Sequence, residues 1–237
     1  MSLVRATEIT FYQKHLVAGQ KVLDFGCGDG FFLQTLKKFS AASFQKSQIF
    51  GLDLINNPRV CEIPKKLYSQ ISLYDGHKIP YQPNSFDTVI ANCVFEHLPN
   101  LPTILKQLYQ TLKPKGKLYA TVMTNNWNKY LRLPAFFWDK VQVHHNLLSA
   151  NNWQQQFTQV GFKVLNINGY LNQEQSRKIE SSHFMSLPYL ISYRLFKRWD
   201  IPGNFYLSVV NQEKVKRLFE KKVSLEQAAG LFIVLEK

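Results

Sequence analysis

Val22–Phe32 reads VLDFGCGDGFF: an apolar run closes on an acid, three glycines follow at every second position, and apolar residues then resume. That order describes a buried strand turning sharply into a helix through a bare backbone. Glycine tolerates positive φ and carries no Cβ, so such a turn lets main-chain groups approach a ligand closely. A dinucleotide turn spaces its glycines G-x-G-x-x-G. Here Gly26, Gly28 and Gly30 are spaced G-x-G-x-G, and Phe31 stands where the third dinucleotide glycine would be. Asp24 at the strand end would also set a like charge against a pyrophosphate. An acid there suits a cationic group such as an α-ammonium, and the dinucleotide reading fails.

Working outward, residues 4–16 mix apolar and polar positions at helical spacing. Lys21–Phe25 predicts a first strand and Phe31–Phe39 an amphipathic helix. Gln48–Leu54 (QIFGLDL) predicts a second strand, again ending on an acid. Ile71–Tyr74 and Phe86–Ala91 predict the third and fourth, and Leu101–Leu112 a helix. Pro114-Lys115-Gly116 predicts a turn into a fifth strand at Lys117–Met123. Ser149 reads as the N-cap of a helix running to about Val160, with Gly161 ending it. Phe162–Gly169 and Gly230–Glu236 complete seven strands. Strands alternating with helical segments predict a parallel α/β sheet with right-handed crossovers. The 237 residues read as one domain, with 125–149 aromatic-rich and irregular and 171–227 a largely helical insertion between strands six and seven; both are expected to form a substrate cap or lid.

Of all residues, 45% are hydrophobic, enough for a proper core, yet no apolar run approaches the roughly eighteen residues of a spanning helix. The N-terminal stretch is broken by charges and has no apolar leader segment, so a soluble, cytoplasmic protein is the expectation. Cys27, Cys61 and Cys93 are too few and too scattered for a disulfide framework or a zinc site, and no metal is expected. The net charge of +13 fits either a solvated basic surface or an anionic partner.

Asp24-Phe25-Gly26-Cys27-Gly28-Asp29-Gly30 resembles the first motif of class I S-adenosylmethionine (SAM) dependent methyltransferases. The resemblance implies a Rossmann-like seven-stranded sheet, mostly parallel with the last strand antiparallel and helices on both faces. It implies that Asp24, Gly26, Cys27, Gly28 and Gly30 surround the methionine half of SAM, and that Asp53 grips the ribose hydroxyls. Leu54 would pack on adenine, Asp75-Gly76 would meet the adenine amino group, and Asn92 would reach the methionine portion. LKPKGKLYATV (112–122) matches the family's turn and fifth strand. Ile79–Leu98 is similar to the branch containing ubiquinone and menaquinone biosynthesis methyltransferases. The likeness covers residues 20–124 well and 144–170 loosely. Each acid also has a plain reading, Asp53 as a strand-end residue and Asp75 as a turn cap. Cys27 reads as a filler of its loop, without a paired His to activate it.

Methyl transfer from a sulfonium is an in-line displacement, so the protein chiefly positions the acceptor and excludes water. A base is needed only where the acceptor must lose a proton. His144 and His145 are the base candidates, set against a packing or surface role. His97, in Glu96-His97, reads as packing. Trp127, Tyr130, Phe136, Phe137 and Trp138 read as an acceptor-pocket wall or a cap core. Asn92-Cys93-Val94-Phe95 lacks the prolines that nucleobase amino-methylating enzymes carry after the fourth strand, and Cys93 lacks the Pro that precedes the nucleophile of cytosine C5 enzymes. A small-molecule acceptor is therefore expected, apolar or lipid-like. SLPYLISYRLFKRWDIPGNFYL (186–207) mixes aromatic and basic residues. It reads as a helix docked on the sheet, as a lid, or as a contact of residues 187–199 with an anionic membrane, which would make the protein peripheral to it. An RNA-binding protein or RNA methyltransferase, and a non-catalytic adaptor, are the alternatives. No oligomeric state is legible.

Overall fold

The computed structural model describes residues 2–17, 19–39, 46–132, 143–181 and 221–237. Its elements run α1 (Ser2–Gln13), β1 (Lys21–Phe25), α2 (Phe31–Phe39), β2 (Gln48–Leu54), β3 (Gln70–Tyr74), β4 (Phe86–Asn92), α3 (Leu101–Thr111), β5 (Leu112–Met123), α4 (Asn126–Tyr130), α5 (Ala150–Val160), β6 (Lys163–Tyr170), α6 (173–181) and β7 (Gly230–Glu236). The seven strands form one sheet in the order β3-β2-β1-β4-β5-β7-β6. Only β7 is antiparallel to its neighbours.

Both faces of the sheet are covered, and the strands accordingly read as near-continuous apolar runs rather than clean alternations. Side chains nevertheless alternate between two cores. Leu23, Phe25, Val89, Ala91, Leu118 and Ala120 join Ile104, Leu105 and Leu108 of α3 and Trp153 and Phe157 of α5 on one face. Val22, Ile49, Ile90, Tyr119 and Phe232 meet Ile9 and Tyr12 of α1 and Leu33 and Leu36 of α2 on the other. Tyr12, fully buried, donates its hydroxyl hydrogen to Ala91 O at 3.1 Å, pinning α1 across β4.

Helix α5 starts and stops where its sequence says. Ser149 accepts from Asn152 N at 3.2 Å, and Gly161 turns left-handed at φ 111°. Strand five differs from expectation. Pairing resumes directly after α3, with Phe86 opposite Leu112, and Pro114-Lys115-Gly116 forms a bulge before Thr88 pairs with Lys117. A turn signal inside a strand is a bulge when the partner strand continues past it. Lys115 takes φ 62°, and a Cβ on Gly116 would lie 2.8 Å from Lys113 O.

Of the 171–227 insertion, 173–181 is helical as expected, and Val223 bridges back to Gly169. Residues 187–199, and with them Phe136, Phe137 and Trp138, lie outside the described residues. Trp127 and Tyr130 pack against a small cluster of Tyr170, Leu171, Ile179 and Ala229, which favours the cap-core reading for this pair. No helix among the described residues is long and apolar enough to cross a membrane. Between β1 and β4 the strand order reverses direction, and in an open α/β sheet ligands bind outside the carboxyl ends of the strands at that point.

Candidate functional site

The glycine loop follows β1 at that reversal. Gly26, Gly28 and Gly30 have φ of 74°, 56° and 74°, all in the left-handed region. A Cβ on Gly26 would strike Val94 at 2.5 Å and one on Gly30 would strike Leu67 at 2.7 Å, whereas one on Gly28 would meet nothing within 4 Å. Two of the glycines thus serve close packing, and the third keeps a space open. Gly26 N donates to Leu52 O at 2.8 Å, which ties the loop to β2. Asp29 Oδ1 accepts from Phe31 N at 3.0 Å and starts α2. Cys27 is buried, with its sulfur 3.1 Å from where a Gly51 Cβ would sit, and burial pushes its thiol far up.

Strand alternation sends Asp24, Asp53 and Asn92, from three adjacent strands, to the face shared with α1 and α2. Asp24 is 3% exposed and accepts a 2.6 Å hydrogen bond from the Tyr68 hydroxyl at Oδ2. Burial pushes its carboxyl up to about 7; Tyr68 and Arg5 oppose the rise and Asp53 adds to it. Asp53 accepts from Gly28 N at 2.6 Å, Leu54 N at 2.7 Å and Asn57 Nδ2 at 2.9 Å. It therefore clamps the glycine loop as well as ending β2, and a carboxylate has about four lone-pair sites, so about one is left for a ligand hydroxyl. Asp75 is exposed and caps a turn, its Oδ1 accepting from His77 N and Lys78 N at 2.8 and 3.1 Å. Those two bonds hold its carboxyl below the usual range. Leu54 lies 3.2 Å from the Cβ position of Gly76, so the residues expected beside adenine come together.

The residues that sequence reasoning missed come from α1 and from the far end of the sheet. Glu8 is fully buried. Its carboxylate accepts from Arg5 Nη1 at 2.8 Å, Asn92 Nδ2 at 2.9 Å, Tyr170 Oη at 2.9 Å and Cys93 Sγ at 3.3 Å. Burial disfavours the Arg5 charge, but Glu8, Cys93 and Tyr170 together outweigh it and the net shift is upward. Asn92 Nδ2 also donates to Thr121 Oγ1 at 2.6 Å, while its Oδ1 is buried with no partner. Cys93 takes φ 52°, a strained value for a non-glycine residue, at the end of β4. Its thiol is pushed well up by burial and by Glu8, which disfavours the nucleophilic thiolate. Glu96 is 1% exposed, and its carboxyl oxygens have no well-formed hydrogen bond, though the backbone N–H groups of Glu96 and Met123 lie close enough to favour the charge. Burial first, and Glu8 second among the upward influences, raise it to about 8.

His144 and His145 make contacts with the residues that follow β4. His144 sits against His97 with ring centroids 4.9 Å apart, and His145 N donates to Glu96 O at 2.8 Å. His97 Nδ1 lies 2.6 Å from Val143 O, in keeping with the packing role expected of it. The segment carrying both base candidates is thereby fastened to the turn after β4.

An orphaned acceptor on Asn92, an acid at the end of β1, an acid at the end of β2 and an open space at Gly28 fit a ligand with an ammonium and adjacent hydroxyls, as SAM has. Known proteins agree. Residues 5–167, more than half of the chain, match the family described as "Methyltransferase domain". Demethylmenaquinone methyltransferase from Oceanobacillus iheyensis is 32% identical over 114 residues, covering 46% of this chain and 47% of that protein. Ubiquinone biosynthesis O-methyltransferase from Idiomarina loihiensis is 28% identical over 141 residues, covering 54% and 53%. The chain thus spans about half the length of the curated relatives it matches. In fold it is similar to an S-adenosylmethionine dependent methyltransferase from Mesorhizobium loti, with a TM-score of 0.61 at 13% identity over 99% of this chain and 100% of the other. It is similar also to phosphoethanolamine N-methyltransferase 2 of Haemonchus contortus, solved with S-adenosyl-L-methionine, with a TM-score of 0.61 at 16% identity over 97% and 51%. Motif, strand order and matched span agree: the chain belongs to the class I, Rossmann-like family of SAM-dependent methyltransferases.

Proposed function

We propose that the chain binds SAM at the carboxyl ends of β1, β2 and β4 and methylates a small, quinol-like or lipid-like acceptor. The observation that carries the cofactor half is the placing of Asp24, Asp53 and Asn92 on one face at the carboxyl ends of three adjacent strands, with Asp53 holding Gly28 N beside the space its missing side chain leaves open. When bound, SAM supplies an electrophilic methyl on a sulfonium. Asp24 and Asn92 receive its α-ammonium, and Asp53 accepts from the ribose while holding Gly28 N. Leu54 and Gly76 flank the adenine, whose amino group donates to the Oδ2 of Asp75 left unengaged by the turn. Cys27 packs its thiol into the core while its backbone forms part of the loop around the ligand.

The acceptor reading draws on relatives named for menaquinone and ubiquinone synthesis. Residues 125–149 and 171–227 shape the acceptor side of a single domain, and His144 or His145 takes the proton of a phenolic hydroxyl. A cytoplasmic protein touching anionic membrane through 187–199 would meet such a lipid where it resides. The test is transfer of labelled methyl from SAM to a panel of quinols, catechols and amines. Label on a quinol or catechol oxygen supports the reading. Label only on amines would overturn the acceptor class, and turnover of none despite cofactor binding would overturn catalysis.

A further inference from the structure

The buried carboxylate of Glu8 does more than neutralise Arg5. Glu8 is an acceptor only, and four donors converge on it: Arg5, Asn92, Tyr170 and Cys93. Both N–H groups of the Asn92 amide have partners, one on Glu8 Oε2 at 2.9 Å and one on Thr121 Oγ1 at 2.6 Å. Turning the amide over would bring Oδ1 against a carboxylate oxygen, so this network permits one orientation. The consequence is an Oδ1 that is buried, has no partner and can only accept. On the neighbouring strand and the same face, Asp24 has given Oδ2 to Tyr68 at 2.6 Å and retains Oδ1. Two acceptors from adjacent strands thus lie on one face at the carboxyl end of the sheet, and a primary ammonium carries three donors.

We propose that Glu8 is a positioning residue: α1 carries it across 84 positions of sequence to lock the Asn92 amide as an acceptor for the cofactor's α-ammonium. This rests on the SAM reading above and adds the device that makes the site selective for the amino-acid end of the ligand. It also gives α1 a role in binding, because loss of α1 would free the Asn92 amide to turn.

The test compares two probes on the purified chain by calorimetry. S-Adenosylhomocysteine carries the ammonium; 5′-methylthioadenosine keeps the adenosine and sulfur and lacks the amino-acid end. Glu8→Gln can offer Asn92 an N–H in place of an oxygen and so allow the amide to turn. S-Adenosylhomocysteine should then bind about 10- to 100-fold more weakly, the worth of a hydrogen bond to a charged group, while 5′-methylthioadenosine changes by less than about twofold. Because Glu8→Gln also leaves Arg5 unpaired, Thr121→Val provides a second arm by removing the other anchor of the amide, and the same selective loss is expected. Equal weakening of both probes would mean a structural role only, and no weakening of either would mean no role; each overturns the inference. Failure of the unaltered chain to bind S-adenosylhomocysteine would instead overturn the cofactor reading and this inference with it.

Discussion

Tyr68→Phe removes a single hydroxyl, and the structure says what that should do. The Tyr68 hydroxyl donates to Asp24 Oδ2 at 2.6 Å in a site where Asp24 is 3% exposed and its carboxyl already stands at about 7. A hydrogen bond to a charged group is worth about 1.5–3 kcal/mol. Losing it raises the carboxyl by about one to two pH units, to about 8 or 9, since one unit corresponds to about 1.4 kcal/mol. At pH 7 Asp24 is then about half ionised in the unaltered protein and about 1–10% ionised in the variant. If ionised Asp24 receives the α-ammonium, S-adenosylhomocysteine binds about 5- to 50-fold more weakly to the variant at pH 7. The sign is fixed by the acid: affinity rises with pH until the carboxyl is ionised, so the unaltered protein levels off above pH 7 while the variant is still climbing. Calorimetric titrations from pH 6 to 8.5 should show the gap narrow as pH rises. A pH-independent affinity in both proteins, or a gap of constant size across the range, would refute the reasoning.

Other consequences can be measured separately. Glu96 is raised from an ordinary value near 4.5 to about 8. The folded state thus keeps a proton that the unfolded chain releases, and stability falls as pH rises from about 4.5 to about 8, by about 3–5 kcal/mol. Glu96→Gln should flatten that slope in urea melts at pH 5 and pH 8; an unchanged slope would assign it to other groups. Trp153 is fully buried, lies 6.0 Å from Phe157 and donates to Met123 O at 3.0 Å. Trp153→Ala should cost about 3–5 kcal/mol of stability, and a loss under about 1 kcal/mol would contradict the packing described. Gly28→Ala should cost only about 1–2 kcal/mol of stability, from its left-handed φ, yet weaken S-adenosylhomocysteine binding at least about tenfold, since the added methyl enters the space kept open for the ligand. Unchanged affinity would place the ligand elsewhere.

Much of the fold was legible because its signals are local. The apolar runs of β1, β2, β4 and β7, the Ser149 cap and Gly161 each announce an element within a few residues. The glycine loop was legible for the same reason, and so were Asp24 and Asp53 at their strand ends. Strand five, found at Lys117–Met123 as expected, begins earlier, at Leu112, because a Pro-Lys-Gly turn looks alike whether it precedes a strand or bulges from one. What the sequence hid is what long-range packing creates. Tyr68 lies 44 positions from Asp24, and Tyr170 lies 162 positions from Glu8. One signal was available: Glu8 falls four residues before Tyr12 and beside Ile9, so a charge sits on the buried stripe of α1. A charge there marks a partner supplied from elsewhere in the fold, since buried charges are paired. The double use of Asp53, clamping Gly28 as well as ending β2, was equally invisible before the loop was folded back on its neighbour.

The most direct test of the central claim is calorimetric titration of the purified chain with S-adenosylhomocysteine, repeated on Asp53→Ala. Asp53 touches the glycine loop, the start of the β2 exit and Asn57 at once. Micromolar binding to the unaltered chain, abolished in a variant that still unfolds cooperatively, is the result expected. No binding heat from the folded chain, or an affinity that Asp53→Ala leaves unchanged, would contradict the assignment of this crevice to SAM.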